Sequence, residues 1–199
     1  MLTLAGQSVS TLEMVAFATG LLSVWLTQRM HVANWPAGLV NVACFSVLFV
    51  EAKLYADALL QVAFFVLGVY GWWSWSRAAA GTQRQLAVTR ASAAELGWLA
   101  VIAIAGTWGV ARTLVAFTDS PVPLPDAAVL VLSLLATWAQ AKRRLECWLL
   151  WIAVDLISIP LYWSRSLHLT ALLYVVFLLI CIAGLWTWKA RLTPARATA

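Results

Sequence analysis

Trp148, Trp151, Asp155, Ser158 and Tyr162 follow one another at intervals of 3, 4, 3 and 4 residues. At about 100° per residue, that spacing sets all five side chains on one stripe of a helix. Two indole rings beside one carboxylate suit a flat organic cation. The rings stack and attract by cation–π, and the acid supplies charge or a hydrogen-bond acceptor. The competing reading is a neutral Asp155 hydrogen-bonded to a neighbouring helix. The stripe lies in an apolar run, residues 147–164. An acid turned towards lipid at the middle of such a run costs about 2.5–3.5 kcal/mol. Asp155 is therefore expected to face the interior of a bundle or a wet cavity. Pro160, just beyond it, lacks a backbone donor and is expected to bend the helix, as a kink or as a hinge.

A second stripe, Gln61, Phe65, Gly68, Trp72 and Trp75, has intervals of 4, 3, 4 and 3. Gln61, Asn41 and Tyr174 are candidates for the wall of the same cavity, and ordinary interhelical hydrogen bonding explains them equally well. Trp72, Trp73, Trp75, Trp186 and Trp188 end apolar runs and read as an interfacial aromatic belt. Glu13 and Asp126 begin such runs and read as interfacial, with a gating role open. His31 and His168 have no partner at metal-ligand spacing, so no metal is expected. Cys44, Cys147 and Cys181 form no CxxC pair and read as small apolar residues. Walker, HExxH and nucleophile-elbow motifs are lacking, so an ATP-driven pump is not expected without a partner subunit, and no cofactor is implied. An enzyme would need several catalytic groups at one depth, and Asp155 has only amides and hydroxyls for company.

The elements that position these residues follow from composition. Of 199 residues, 63% are hydrophobic and 11% charged, against about 25% charged in soluble domains. Lipid must be the solvent for much of this surface. Seven apolar runs stand out: 12–28, 34–51, 55–76, 93–118, 124–141, 147–164 and 168–188. Each is close to the ~20 residues that cross a bilayer as a helix. The expected class is thus an all-α integral membrane protein with seven transmembrane helices. The N-terminus lacks a basic stretch and a small-residue cleavage site, so the first run reads as a permanent helix and not a signal peptide. The net charge of +5 is spread between apolar runs and does not indicate nucleic-acid binding.

Charge bias gives an orientation. Lys53, Arg112 and Arg165 fall on one side. Arg29, Arg77, Arg84, Arg90, Lys142, Arg143, Arg144, Lys189, Arg191 and Arg196 fall on the other. The positive-inside rule places the second group in the cytoplasm, with the N-terminus outside and the C-terminus inside. The chain also repeats itself at an ungapped offset of 113 residues. Trp25 meets Trp138, Trp35 meets Trp148, Gly71 meets Gly184, Trp73 meets Trp186 and Trp75 meets Trp188. Gln61 falls opposite Tyr174, and Asn41 falls one position from the counterpart of Asp155. Residues 12–76 and 124–189 are the two three-helix copies, and 93–118 is a linker helix. The linker turns the second copy the same way up as the first, a 3+1+3 arrangement with parallel repeats and a cleft between two bundles as solute path.

Asn34-Trp35-Pro36, the run Lys53-Leu54-Tyr55-Ala56-Asp57-Ala58-Leu59-Leu60-Gln61-Val62, Tyr70-Gly71-Trp72 and Cys147-Trp148-Leu149-Leu150-Trp151 with Asp155 resemble the PnuC family of bacterial nicotinamide riboside transporters. The resemblance implies a SWEET-like fold in the inner membrane. It also implies facilitated diffusion of a vitamin-type NAD precursor, made one-way by a cytoplasmic kinase that phosphorylates the substrate. It points to Trp148, Trp151 and Asp155 as the substrate motif, while helical spacing and the repeat set Gln61, Asn41, Tyr174 and Ser158 around the same substrate. The family pattern is WxxWxxxN, and Asp155 stands where Asn is usual. An Asn donates and accepts, whereas an ionised Asp only accepts. Relatives carry thiamine, riboflavin or deoxynucleosides. Thiamine is the second expected substrate, a cation with an aminopyrimidine donor, but nicotinamide riboside is a cation too. The expected partners are the bilayer, a small cationic or nucleoside-like solute and the trapping kinase. The pattern is also compatible with a homo-oligomer.

Overall fold

The computed structural model describes residues 2–4, 7–51, 55–80, 87–118, 120–165 and 168–192. Lys53, Arg84 and Arg196, used above for orientation, lie outside them. A short antiparallel hairpin, β1 (Leu2–Leu4) and β2 (Gln7–Val9), precedes seven helices and, among the described residues, is the one sheet that departs from the all-α expectation. Leu2-Thr3-Leu4 alternates apolar and polar residues, a strand pattern too short to register against long apolar runs.

The helices are α1 (Thr11–Gln28), α2 (Asn34–Glu51), α3 (Tyr55–Ala80), α4 (Ala93–Phe117), α5 (Pro123–Ala141), α6 (Cys147–Ser164) and α7 (His168–Ala190). They lie where the apolar runs predict them. Five of them, α2 and α4 to α7, are long and apolar enough to cross a membrane. The α1 helix is diluted by Glu13, Thr19, Ser23, Thr27 and Gln28. The α3 helix continues past residue 76, because Ala78, Ala79 and Ala80 are strong helix formers. Ser10 and Glu13 form a capping box on α1, and Ser92 and Glu95 form another on α4. Glu13 therefore has a structural duty in its first turn.

The chain divides into two compact units, residues 1–86 and 87–199. In the first, α1 packs on α2 and α2 on α3; in the second, α4 packs on α5, α5 on α6 and α6 on α7. The two units share local geometry at the 113-residue offset. Met30 and Arg143 both take left-handed backbone angles, φ 58° and 57°. In the first turn, Met30 N–H donates to Thr27 O at 2.9 Å and His31 N–H to Leu26 O at 3.0 Å. In the second, Arg143 N–H donates to Gln140 O at 2.9 Å and Arg144 N–H to Ala139 O at 2.9 Å. Both are Schellman turns, which satisfy the last carbonyls of a helix. Neither uses Gly, so each carries about 1 kcal/mol of left-handed strain.

The cores match as well. Trp35 meets Trp75 edge-to-face, centroids 5.6 Å apart at 84°, and Trp148 meets Trp188 at 5.4 Å and 88°. A Cβ on Gly71 would overlap the Trp35 ring, and one on Gly184 would stand 2.5 Å from Cη2 of Trp148. Each glycine thus makes room for an indole from the neighbouring helix. In lipid, where apolar burial gives little, such close packing at small residues is the main attraction between helices. Trp75 and Trp188 are fully buried, which corrects their reading as belt residues: the i+4 position after each glycine turns them inward onto the partner indole. Trp72, Trp73 and Trp186 are exposed. Arg77 lies 5.0 Å over Trp73 and Lys189 lies 5.4 Å over Trp186, as cations do beside interfacial rings.

Candidate functional site

Within the second unit, the α6 stripe points into protein. Trp148, Asp155 and Ser158 are 1%, 3% and 0% exposed, and Trp151 and Tyr162 are half-buried. Three polar atoms on this face, Trp148 Nε1, Asp155 Oδ2 and Ser158 Oγ, are shielded from solvent without a hydrogen-bond partner. A buried polar group left unpaired costs about 1–3 kcal/mol, and more if charged. The Glu95–Arg144 and Asp126–Arg165 ion pairs lie at helix ends, and Asp155 takes part in neither.

The opposite wall comes from α7. The Cys181 thiol is adjacent to the Asp155 carboxyl. The Tyr174 hydroxyl faces Ser158, close enough for electrostatic contact though outside the geometry of a formed hydrogen bond. The Tyr174 ring packs on Tyr162, centroids 5.1 Å apart, and its other side meets Phe177 edge-on. Asp155, Ser158, Tyr174 and Tyr162 with Cys181 thus form one polar cluster between two otherwise apolar helices.

The two tryptophans of the stripe have different roles. The Trp148 ring is enclosed by Gly184 and Trp188, so it braces α6 against α7. Trp151 leans on α5, where its indole N–H donates to Gln140 Oε1 at 3.1 Å. This bond fixes the orientation of the ring. Pro160 is exposed and α6 continues through it to Ser164. The carbonyl of Leu156, four residues earlier, therefore lacks its helical donor.

Asn41 and Gln61 belong to the first unit. Asn41 donates to Ala16 O at 2.6 Å and so ties α2 to α1. Gln61 is half-buried on α3. Of its stripe, Gly68 packs on Leu39 and Trp75 on Trp35, whereas Phe65 and Trp72 are exposed. The helix is therefore shared between two surroundings, and its stripe is not a single wall. Asp126 accepts from Ser120 Oγ at 2.7 Å and from Arg165 at 3.2 Å, which fastens the start of α5 to the end of α6. Sequence reasoning missed Cys181 and Gln140 as neighbours of the site. The signal for Cys181 was present: Tyr174, Cys181 and Trp188 recur every seven residues with Gly184 on the same face. Gln140 had no such periodic mark.

Comparison with known proteins places the chain in a family. The nicotinamide riboside transporter PnuC of Escherichia coli K12 is 28% identical over 96% of this chain and 91% of its own. The riboflavin/roseoflavin transporter RibM of Streptomyces davaonensis is 30% identical over 90% of this chain and 84% of its own. The crystal structure of the vitamin B3 transporter PnuC superposes with a TM-score of 0.72 at 25% identity, over 90% of this chain and 80% of that one. The nicotinamide mononucleotide transporter model matches residues 10–190. These similarities bear out the expectation of multi-pass membrane transport in place of catalysis, and the chain belongs to the nicotinamide mononucleotide transporter family, which the PnuC transporters exemplify.

Proposed function

We propose that this protein carries nicotinamide riboside into the cell by facilitated diffusion. The observation that supports this most directly is the pair of buried, unpartnered oxygens, Asp155 Oδ2 and Ser158 Oγ, on the same helix face as Trp151. A planar cationic ring bearing a carboxamide supplies what the face lacks: positive charge for the carboxyl, donors for both oxygens and a surface for the indole. Trp151 provides the stacking face, with Trp148 behind it as a brace. Ser158 on α6 and Tyr174 on α7 line the same cluster. Pro160 acts as the hinge of α6. The two three-helix repeats are joined by α4 in a 3+1+3 chain order, and the matched Schellman turns and Trp–Gly–Trp cores support that reading. The protein spans the bacterial inner membrane seven times, with the N-terminus outside and the C-terminus in the cytoplasm. A cytoplasmic kinase traps the solute by phosphorylation, and the transporter can self-associate.

Riboflavin is the second reading, favoured by the 30% identity to RibM. Thiamine is the third, because Asp155 accepts well from an aminopyrimidine. Titration of the purified protein with nicotinamide riboside, thiamine and riboflavin, read by Trp fluorescence, separates the three. Nicotinamide riboside is expected to bind at least tenfold more tightly than either competitor. A preference for riboflavin or thiamine overturns the assignment.

A further inference from the structure

The second unit carries another recess, at the end where basic residues collect. Residues 87–91 run alongside the α5–α6 turn. Thr89 N–H donates to Arg143 O at 3.1 Å and Leu145 N–H donates to Thr89 O at 2.9 Å, while Val88 pairs with Leu192 after α7. Arg144 locks this junction, donating to Thr89 Oγ1 at 2.7 Å and pairing with Glu95 at 2.7 Å. The start of α4, the start of α6 and the end of α7 are thereby held together. Between them opens a groove of about 220 Å³ with Arg90, Glu146 and Lys189 at its polar rim and Leu149, Leu185 and Trp186 along its side.

The chemistry of this groove is layered. Arg90 and Lys189 are exposed, and among the described residues neither joins an ion pair. Glu146 is fixed beside Arg90, because its Oε2 accepts from Ala91 N–H at 2.9 Å. Lys189 sits over the Trp186 ring. Leu149 and Trp186 are 53% and 64% exposed, an apolar flank that water alone does not suit. A phosphate fits between the two cations, a primary ammonium fits the Glu146 carboxylate, and acyl chains fit the leucines with the indole at headgroup level.

We propose that this groove is a binding site for a phospholipid whose headgroup carries both a phosphate and a primary ammonium, that is, phosphatidylethanolamine. Charge decides between lipids. Two cations with one acid match a zwitterion with a free ammonium. Phosphatidylglycerol carries no ammonium and meets Glu146 only with its glycerol hydroxyls, which donate hydrogen bonds but bring no positive charge to the carboxylate. In phosphatidylcholine the three methyl groups cannot donate hydrogen bonds to the carboxylate. The site is separate from the Asp155 cluster and does not depend on which solute is carried.

The test uses the full chain, delipidated in detergent and titrated with phosphatidylethanolamine, phosphatidylglycerol and phosphatidylcholine of identical acyl chains, with bound lipid read by native mass spectrometry. Phosphatidylethanolamine should be retained preferentially. Arg90→Gln and Lys189→Gln should each lower its retention by about fivefold, and Glu146→Gln should abolish the preference over phosphatidylglycerol. Glu146→Gln also weakens the Ala91 contact, so Leu149→Trp, which fills the groove from an exposed position, is the independent arm and should displace the lipid while monodispersity and helical content stay unchanged. Equal retention of the three lipids overturns the proposal, as does unaltered retention in Leu149→Trp. Full displacement by soluble phosphoethanolamine at equimolar concentration also overturns it, since the groove would then serve a free phosphate compound and not a lipid.

Discussion

Gly184→Ala tests whether the Trp–Gly–Trp core holds the second unit together. The added Cβ would stand 2.5 Å from Cη2 and Cζ2 of Trp148 and 2.7 Å from Cε2. Carbon atoms rest at about 3.5–4.0 Å, so the ring would have to retreat by about 1 Å. It has nowhere to go, because Trp148 is 1% exposed and its edge rests against Trp188, which is 0% exposed. Overpacking of this kind costs about 1–3 kcal/mol, and three ring atoms struck together put it near the upper end. Ala recovers about 1 kcal/mol of helix propensity over Gly. The net loss is about 2 kcal/mol, or about 4–8 °C in Tm for a chain of this length. Cys44, Cys147 and Cys181 are all free and buried, so a thiol-reactive dye reports unfolding directly. Gly97→Ala and Gly109→Ala are the controls, since a Cβ at either meets nothing within 4 Å; both should melt at or slightly above the parent. Gly71→Ala should fall like Gly184→Ala, through Trp35. If Gly184→Ala melts together with Gly109→Ala, the indole is not held as described and the reasoning fails.

Asp155→Ala should weaken nicotinamide riboside binding by about tenfold or more, the worth of a hydrogen bond to a charged group, while Asp155→Asn should keep most of it; unchanged binding in Asp155→Ala would place the substrate on another face. Trp151→Ala, read in the same titration, should cost about tenfold from lost stacking, with insertion and folding intact; an unaffected affinity removes Trp151 from the site. A reporter fused after Ala199 should be active only in the cytoplasm, and activity of a periplasm-only reporter there reverses the orientation. Uptake into vesicles should stop at equal concentrations on both sides, so accumulation driven by a proton or sodium gradient would exclude simple facilitation and implicate Asp155 in coupling.

The sequence by itself determined the helical class, the seven helices and, except for the end of α3, their bounds to within two residues, because an apolar run of membrane length has few alternatives to a helix in lipid. It also determined the inward face of α6, since the cost of exposing Asp155 to lipid and the 3-and-4 spacing of its neighbours point the same way. The offset of 113 residues marked Trp35, Gly71 and Trp75 against Trp148, Gly184 and Trp188 as equivalent, but not what they do. Only the packing decided that these rings are cores: whether a Trp at a helix end faces lipid or a partner indole depends on a glycine in the adjacent helix, a relation between elements that one helix's pattern does not contain. The same holds for Met30 and Arg143, whose left-handed turns no glycine announces. Cys181 reached the Asp155 carboxyl, Gln140 took the Trp151 N–H, and residues 87–91 closed over the α5–α6 turn for the same reason. Each of these contacts joins residues far apart in the chain, and the relative rotation of two packed helices, which side-chain shape sets after the helices exist, chooses among the faces that local sequence leaves equally available.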